Sequence, residues 1–242
     1  MEAKYKMTNE VAKSVFGGKV NVANVAALAA RAAESAQNTT RAGAPDGSDY
    51  MNFSGKRGAY TIGKDNRVID SDEIWVVNVT SFEEGWVCWK GGKPAATRLS
   101  NIYTGMPISA PGDGELGPFN DSKGEGWFQA KAMVLKSCDH DQQGYFKINS
   151  VSGVSAMADF IGMFAERAAA GEPCWPAISL DTEEFESQGY KNFKPVFTIV
   201  GWLGDEDLAR LADGEAIEDI LELAEAEAAP PPPPAKRVRR QA

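Results

Sequence analysis

Few side chains in this sequence are suited to covalent or metal chemistry. The 242 residues include one histidine, His140, and three widely spaced cysteines. A Ser-His-Asp or Cys-His nucleophile would have to use His140, which lies in the polar stretch CDHDQQG, typical of a turn. No P-loop, HExxH or GxSxG motif is present. The sequence therefore predicts a protein that is not an enzyme and needs no cofactor.

Metal binding is the main alternative use of these residues. A Cys₃His zinc site would need to gather Cys88, Cys138, His140 and Cys174. A single residue separates Cys138 from His140, less than the usual spacer of two to four residues, and the other two cysteines stand alone. Burial as small hydrophobic side chains explains them more simply. The acids beside His140 would also suit Mg²⁺ in a nuclease, although solvated turn acids are the simpler interpretation.

Aromatic and basic side chains form a second pattern, which is typical of single-strand binding. Proteins that hold single-stranded nucleic acid place basic groups along the phosphates and stack bases on aromatic rings. Spacing such as aromatic–x–Lys keeps each pair on one face of a strand. The alternative is that these rings pack the core. The candidate nucleic-acid-binding residues are Lys56, Arg57, Tyr60, Trp86, Lys90, Lys93, Arg98, Tyr103, Trp127, Lys131, Tyr145 and Lys147.

Residues 73–103 hold the densest group of these candidates and predict a β-hairpin. The apolar run 74–79 predicts one strand, residues 82–85 a turn, and residues 86–90 the returning strand, which Gly91 and Gly92 end. Side-chain alternation assigns Trp75 and Trp89 to the core. The same alternation places Trp86 on the outer face.

The rest of residues 50–203 predicts further strands around one long helix. Apolar residues recur at helical spacing from about residue 154 to residue 168, and Gly171 ends the helix. One such helix is too short to cover a large sheet but suits the end of a small barrel. We therefore predict a mainly β fold with one main amphipathic helix, either an OB-like small barrel or an α+β antiparallel sheet.

The two ends of the chain differ from this body in composition. Residues 1–49 predict a helical or flexible segment followed by a linker. Residues 204–242 predict a disordered arm, acidic at first, then proline-rich and finally basic. Ten acidic residues and one arginine lie between residues 204 and 229, so this arm carries much of the net charge of −9. No apolar run is long enough to cross a membrane.

The body also resembles a known group of proteins. The runs IWVVNVTSFEEGWVCWKGGK, WFQAKAMVLKSCDHDQQGYFKINSVSGVSAMADFI and FKPVFTIVGWL resemble phage-encoded single-stranded DNA-binding proteins, over about residues 50–203. The matching stretches are 75–90, 138–146, 150–161 and 195–202. The resemblance implies an OB-like fold and a role in DNA replication or recombination. The ending PPPPPAKRVRRQA departs from that group, whose chains close on acids and a terminal aromatic residue.

Pattern and resemblance together predict single-stranded DNA binding and protection, with an acidic regulatory arm. Expected partners are single-stranded DNA, replication or recombination proteins bound through the arm, and a second copy of the chain. The expected compartment is the cytoplasm of a bacterial host, with the nucleus as the alternative because KRVRR is typical of a nuclear localisation signal. The other functional hypotheses are a virion structural or scaffolding protein, and a metal-dependent nuclease or zinc-bearing recombination factor.

Overall fold

The structure, a computed structural model, describes residues 45, 47–112, 114, 116–187 and 189–228. The predicted helical segment before residue 45 and the proline-rich, basic end after residue 228 lie outside the described residues. The described residues form nine β-strands and three α-helices. They are β1 Asp49–Ser54, β2 Ala59–Ile62, β3 Arg67–Val68, β4 Trp75–Lys90, β5 Lys93–Asn101, β6 Gly126–Ser137, β7 Gln143–Ile148, α1 Val151–Ala170, β8 Trp175–Ser187, β9 Tyr190–Leu203, α2 Asp205–Ala212 and α3 Ile217–Ala228.

The strands form one curled sheet. Its order is β3-β2-β1-β7-β6-β4-β8-β9, and β5 pairs with β4 alongside this path. All neighbours are antiparallel except β1 and β7, which are parallel. Strand β9, at one end of this order, approaches the β1–β2 turn, where the Phe193 amide donates to the Gly55 carbonyl at 2.8 Å. This mainly β, half-barrel architecture confirms the predicted fold class and is consistent with an OB-like barrel.

Helix α1 fills the concave side of the sheet. Ser150 caps its start by accepting from the Gly153 amide at 3.2 Å, and Gly171 ends it in a left-handed conformation with φ of 72°. One stripe of the helix is buried, including Phe160 and Phe164. The Phe164 ring lies 5.7 Å from the ring of Phe82 on β4. The helix thus packs its apolar stripe into the main core of the curled sheet, as its apolar spacing predicts.

The predicted turn at residues 82–85 is wrong, because β4 runs without a turn from Trp75 to Lys90. The strand changes register between Asn78 and Glu83, and this irregularity bends it. Gly85 has a φ of 152°, and a Cβ there would lie 2.1 Å from the Arg98 carbonyl oxygen. The glycine therefore permits a close approach of two strands. The hairpin turns instead at Gly91 and Gly92, between β4 and β5.

The start of the predicted disordered arm is also corrected. Residues 205–212 and 217–228 are helical, and both helices contact β9. Leu208, Leu211, Ile217 and Ile220 are buried in the main core, because these leucines and isoleucines recur at helical spacing. The acidic stretch is therefore helical as far as residue 228, and its buried side chains up to Ile220 belong to the folded body. Among the described helices, none combines the length and apolar character needed to cross a membrane.

Candidate nucleic-acid interface

The predicted binding residues on β4–β7 lie on two opposite faces of the sheet. Trp86 pairs with Gln129, which is two residues from Lys131 on β6, so these side chains share one face. Lys147 pairs with Ala132, on the other face. We call the first the loop face; it carries Trp86, Lys90, Arg98, Trp127 and Lys131. The second, the groove face, carries Val87, Trp89, Tyr145 and Lys147.

The loop between β5 and β6 covers much of the loop face. The indole N–H of Trp86 donates to the Ile108 carbonyl at 3.1 Å, and Lys90 Nζ donates to the Leu116 carbonyl at 2.8 Å. The guanidinium of Arg98 lies 4.9 Å from the centre of the Trp127 ring. The ammonium of Lys131 pairs with a carboxylate oxygen of Glu84 at 3.0 Å. These contacts involve most of the predicted residues of this face. Their polar groups are thus already engaged within the chain.

Three predicted tyrosines are buried or held inside the protein. Tyr60 is 2% exposed and donates to the Asp181 carbonyl at 3.2 Å; its burial raises the pKa of the phenol. Tyr145 is 3% exposed and donates to a Glu83 carboxylate oxygen at 2.7 Å. Burial also raises the pKa of the half-buried Tyr103. In this conformation the rings of Tyr60 and Tyr145 offer no open face to a base.

A groove of about 630 Å³ opens on the groove face, between the tips of two hairpins. One wall comes from the β4–β5 hairpin, through Trp89 and Pro94. The other comes from the β8–β9 hairpin, through Phe185 and Phe193. The floor is built from β1, β7 and the first turn of α1. Its volume falls within the range of small-molecule sites, about 300–1,000 Å³.

Five aromatic side chains line this groove, and the sequence-based prediction included none of them. They are Tyr50, Phe53, Trp89, Phe185 and Phe193. Trp89 had been assigned to the core by alternation, but it is only partly buried and packs against a second, smaller cluster on the groove face. Tyr50 is 45% exposed, and its ring lies edge-on to Tyr145 at 6.0 Å. Of these rings, Phe185 could have been recognised from the sequence, because it is a lone aromatic residue within the acidic run TEEFES.

Lys147 is the one cationic side chain among the residues that line the groove. Partial burial lowers the pKa of its ammonium, and the nearby Glu83 carboxylate acts in the opposite direction. Within the described ranges, no carboxylate or carbonyl oxygen is within hydrogen-bonding distance of its Nζ. The groove therefore holds a partly desolvated positive charge next to aromatic rings.

Further cations stand at the rim. Lys56 and Arg57 are exposed in the turn beside Gly55. Lys93 is exposed at the β4–β5 tip, but it pairs with Lys90 and therefore belongs to the loop face. These three form no ion pair with any described residue. On the opposite wall, Lys191 and Lys194 pair with Glu184 at 2.5 Å and with Glu183 at 2.9 Å. Uncompensated positive charge beside the groove thus lies on its β1–β2 side.

The alternative zinc set is not assembled in the structure. Cys88 has Lys90 and Glu125 as its charged neighbours, whereas Cys174 has Asp205 and Arg167. The thiol of Cys138 has a raised pKa because it is buried and lies near Asp139 and Glu218. His140 Nε2 lies 3.9 Å from a Glu73 carboxylate oxygen. No group of three metal-binding side chains occurs among the described residues.

Comparison with known proteins gives no relative: no protein family, no curated protein and no solved structure matches this chain. The predicted resemblance to phage single-strand binders therefore stays a prediction from the residues. The groove is the feature of the described residues from which a function can be inferred.

Proposed function

We propose that this protein binds single-stranded DNA in the groove between the β4–β5 and β8–β9 hairpins. The observation that carries the proposal is one cavity lined by five aromatic rings and by Lys147, with the exposed cations Lys56 and Arg57 beside it. Bases stack on aromatic rings of any single-strand site, while Lys and Arg contact the phosphates. An apolar small molecule would use the rings but would have no need of the rim charges.

The groove favours single strands over duplex DNA for a geometric reason. In a duplex the faces of the bases are covered by their neighbours, and only their edges are reachable from the grooves. Rings on the walls and floor of a narrow cleft reach base faces only when the bases are unpaired. Within the proposal, Tyr50, Trp89 and Phe185 stack on bases. Lys147 contacts a phosphate from the floor.

The acidic helices α2 and α3 have a separate role in this proposal. They follow Leu203 at one end of β9, whereas Phe193 lines the groove ten residues earlier. At about 3.3 Å per residue this separates them by roughly 30 Å along the strand. Their carboxylates are thus too far away to compete with DNA for the groove. They suit a docking surface for replication or recombination proteins.

Binding to a dT oligonucleotide tests the proposal directly. We expect quenching of tryptophan fluorescence on binding, competition by unlabelled single strands, and weak competition by the matching duplex. The double variant Tyr50→Ala, Phe185→Ala should lose most of the affinity, at about 1–3 kcal/mol for each stacked base. Val200→Ala, an exposed position on β9 outside the groove, is the control. Equal affinity of wild type and double variant would contradict the assignment of the site.

The scaffolding alternative has one specific observation in its favour. Strand β5 pairs only with β4 within the described sheet, so its other edge is open to a further strand. A second chain pairing there would give oligomers without any need for DNA. Size-exclusion chromatography with and without oligonucleotide separates the two functions, because a scaffold assembles to a defined size in both samples.

A further inference from the structure

A second cavity, of about 740 Å³, lies between α1 and the β8–β9 hairpin. We call it the helix cleft. Its helix side runs from Val151 to Met163, and its strand side includes Val196 and Phe197. Phe185 lines both the helix cleft and the groove, so the two cavities adjoin at this ring.

The helix cleft leaves apolar side chains in contact with water. Val151 is 88% exposed and Met163 is 43% exposed, and both line the cleft. Ala156 and the buried Phe160 continue this apolar surface towards the main core. Apolar side chains gathered around one cavity are typical of an interaction surface, whereas single exposed ones need no explanation. The cleft therefore has the character of a docking site.

The unbalanced charge at this cleft is negative. Asp159 is exposed on α1, lines the cleft and forms no ion pair with any described residue. Glu183 also lines it, but the Lys194 ammonium lies 2.9 Å from its carboxylate and compensates the charge. A matching partner has an apolar side and a positive net charge. Nucleic-acid phosphates would be repelled by Asp159, which separates this cleft from the groove.

The first 44 residues of the chain, which precede the described ranges, combine these two properties. They include six basic and three acidic residues, a net charge of +3 in a chain of net charge −9. Within them, residues 22–36 have helical composition, with Val22, Val25 and Ala29 on one stripe. A stripe this thin gives an isolated helix little stability, so such a helix needs a partner surface.

The connection to the folded body is long enough to reach the cleft. Residues 37–48 precede β1, and a connection of this length spans up to about 40 Å when extended. Strand β1 covers less than about 20 Å, and Gly55 just after it accepts from the Phe193 amide, two residues from Pro195 in the cleft wall. A tether of this kind gives an effective concentration on the order of millimolar, so weak docking is sufficient.

We propose that residues 22–36 dock as a helix in the helix cleft of their own chain. The valine and alanine stripe covers Phe160 and Met163, and the positive charge of the N-terminal segment lies near Asp159. The docked helix adjoins the groove through Phe185. This inference is separate from the proposed function, because no part of it requires DNA.

Hydrogen–deuterium exchange of the full chain, measured without DNA, tests the docking. Amides of a docked helix exchange only when it leaves the cleft, so their rate follows the undocked population. We expect residues 22–36 to exchange about ten-fold or more slowly in wild type than in Met163→Asp, which places a charge under the apolar stripe. Val68→Asp, at an exposed valine on β3 outside the cleft, is the matched control and should keep the wild-type rate.

Asp159→Lys supplies a second variant, at an exposed position where the fold tolerates a change of charge. It should also speed exchange of residues 22–36, because the like charges then repel. Equal exchange of this segment in wild type and Met163→Asp would overturn the proposal. Equal acceleration by Val68→Asp would indicate a general charge effect and overturn it too. Protection that grows with protein concentration would assign the cleft to a second copy and overturn docking within one chain.

Discussion

At the residue scale, the surroundings of Lys147 distinguish it from the other candidate cations. Lys90 and Lys131 are engaged by a carbonyl and a carboxylate of the chain, whereas Lys147 lies in the groove without such a partner among the described residues. Partial burial removes water from its ammonium and lowers its pKa. An anionic ligand would stabilise the charged ammonium in place of the lost water. We therefore expect DNA affinity to depend more on Lys147 than on the other candidate cations.

Replacing Lys147 by glutamine should weaken the binding of single-stranded DNA. Loss of one charge-assisted contact of about 1.5–3 kcal/mol corresponds to a fall of about 10- to 150-fold in affinity. Lys64→Gln, at an exposed lysine in the β2–β3 turn, is the matched control and should change the affinity little. Fluorescence titration at fixed salt measures both. Equal losses in the two variants would indicate a general charge effect rather than a site at Lys147.

The lowered pKa of Lys147 also predicts a dependence on pH. A lysine loses its charge as the pH rises through its pKa, and a lowered pKa brings this loss closer to neutrality. DNA affinity should therefore fall at a lower alkaline pH than an ordinary lysine, with a pKa of about 10.4, would allow. Titration at constant ionic strength, compared with Lys147→Arg, measures the effect. The arginine variant keeps its charge and should show a flatter profile; identical profiles would contradict the assignment.

At the element scale, the helix and most strands were predictable, but the course of β4 was not. Alternation and helical spacing depend on local burial, which is why α1 and β6 follow from the sequence. The run FEEG has the composition of a turn, yet Glu83 is 4% exposed and accepts from Tyr145. Gly85 allows a neighbouring strand to come close rather than ending its own. Both features depend on distant residues, so local composition gave the wrong interpretation.

Dependence on residues that are distant in the sequence also explains why only part of the candidate site was predicted. Lys56, Arg57 and Lys147 were predicted and lie in or beside the groove, whereas Lys93 lies on the loop face with Lys90. The aromatic rings that line it come from strands far apart in sequence, and only the fold brings them together. Spacing along one strand could pair Trp86 with Lys90, but it could not show that a later loop covers them.

Gly85→Ala tests the interpretation of β4. Its new methyl group would meet the Arg98 carbonyl oxygen at 2.1 Å, at a φ of 152°. We expect a loss of several kcal/mol in the free energy of unfolding, on the order of strained backbone positions and overpacked sites. Gly162→Ala is the control: that position in α1 has no atom within 4 Å and should gain about 0.5–1 kcal/mol. Urea denaturation measures the free energy of unfolding of both variants. A Gly85→Ala variant as stable as wild type would contradict the close approach of β4 and β5 at this residue.

At the scale of the whole molecule, the folded body extends past the last strand. The buried leucines and isoleucines of α2 and α3 join the main core, and a Cβ at Gly201 would lie 2.2 Å from Leu221 Cδ2. The acidic composition of this segment led to the prediction of a disordered arm. Charge on the exposed face of a helix does not prevent burial of the opposite face.

Truncation distinguishes a structural segment from a free arm. Ending the chain after Leu203 removes both helices and uncovers the apolar surface of β9, so the melting temperature should fall by many degrees. Ending it after Ala228 keeps both helices and supplies the reference. Equal melting temperatures for the two truncations would show that α2 and α3 add nothing to stability. Salt and protein concentration must match in these scans.

The separation of the groove from the acidic helices has a consequence for how the molecule meets its ligand. Uncompensated cations lie in the β1–β2 turn beside the groove, and acids crowd α2 and α3 beyond the far end of β9. Such a distribution gives the protein a permanent electric dipole. In the field of a polyanion the dipole experiences a torque that turns the groove towards the strand before contact. Charge reversal in α3, far from any DNA contact, should therefore slow association at low salt while leaving dissociation unchanged.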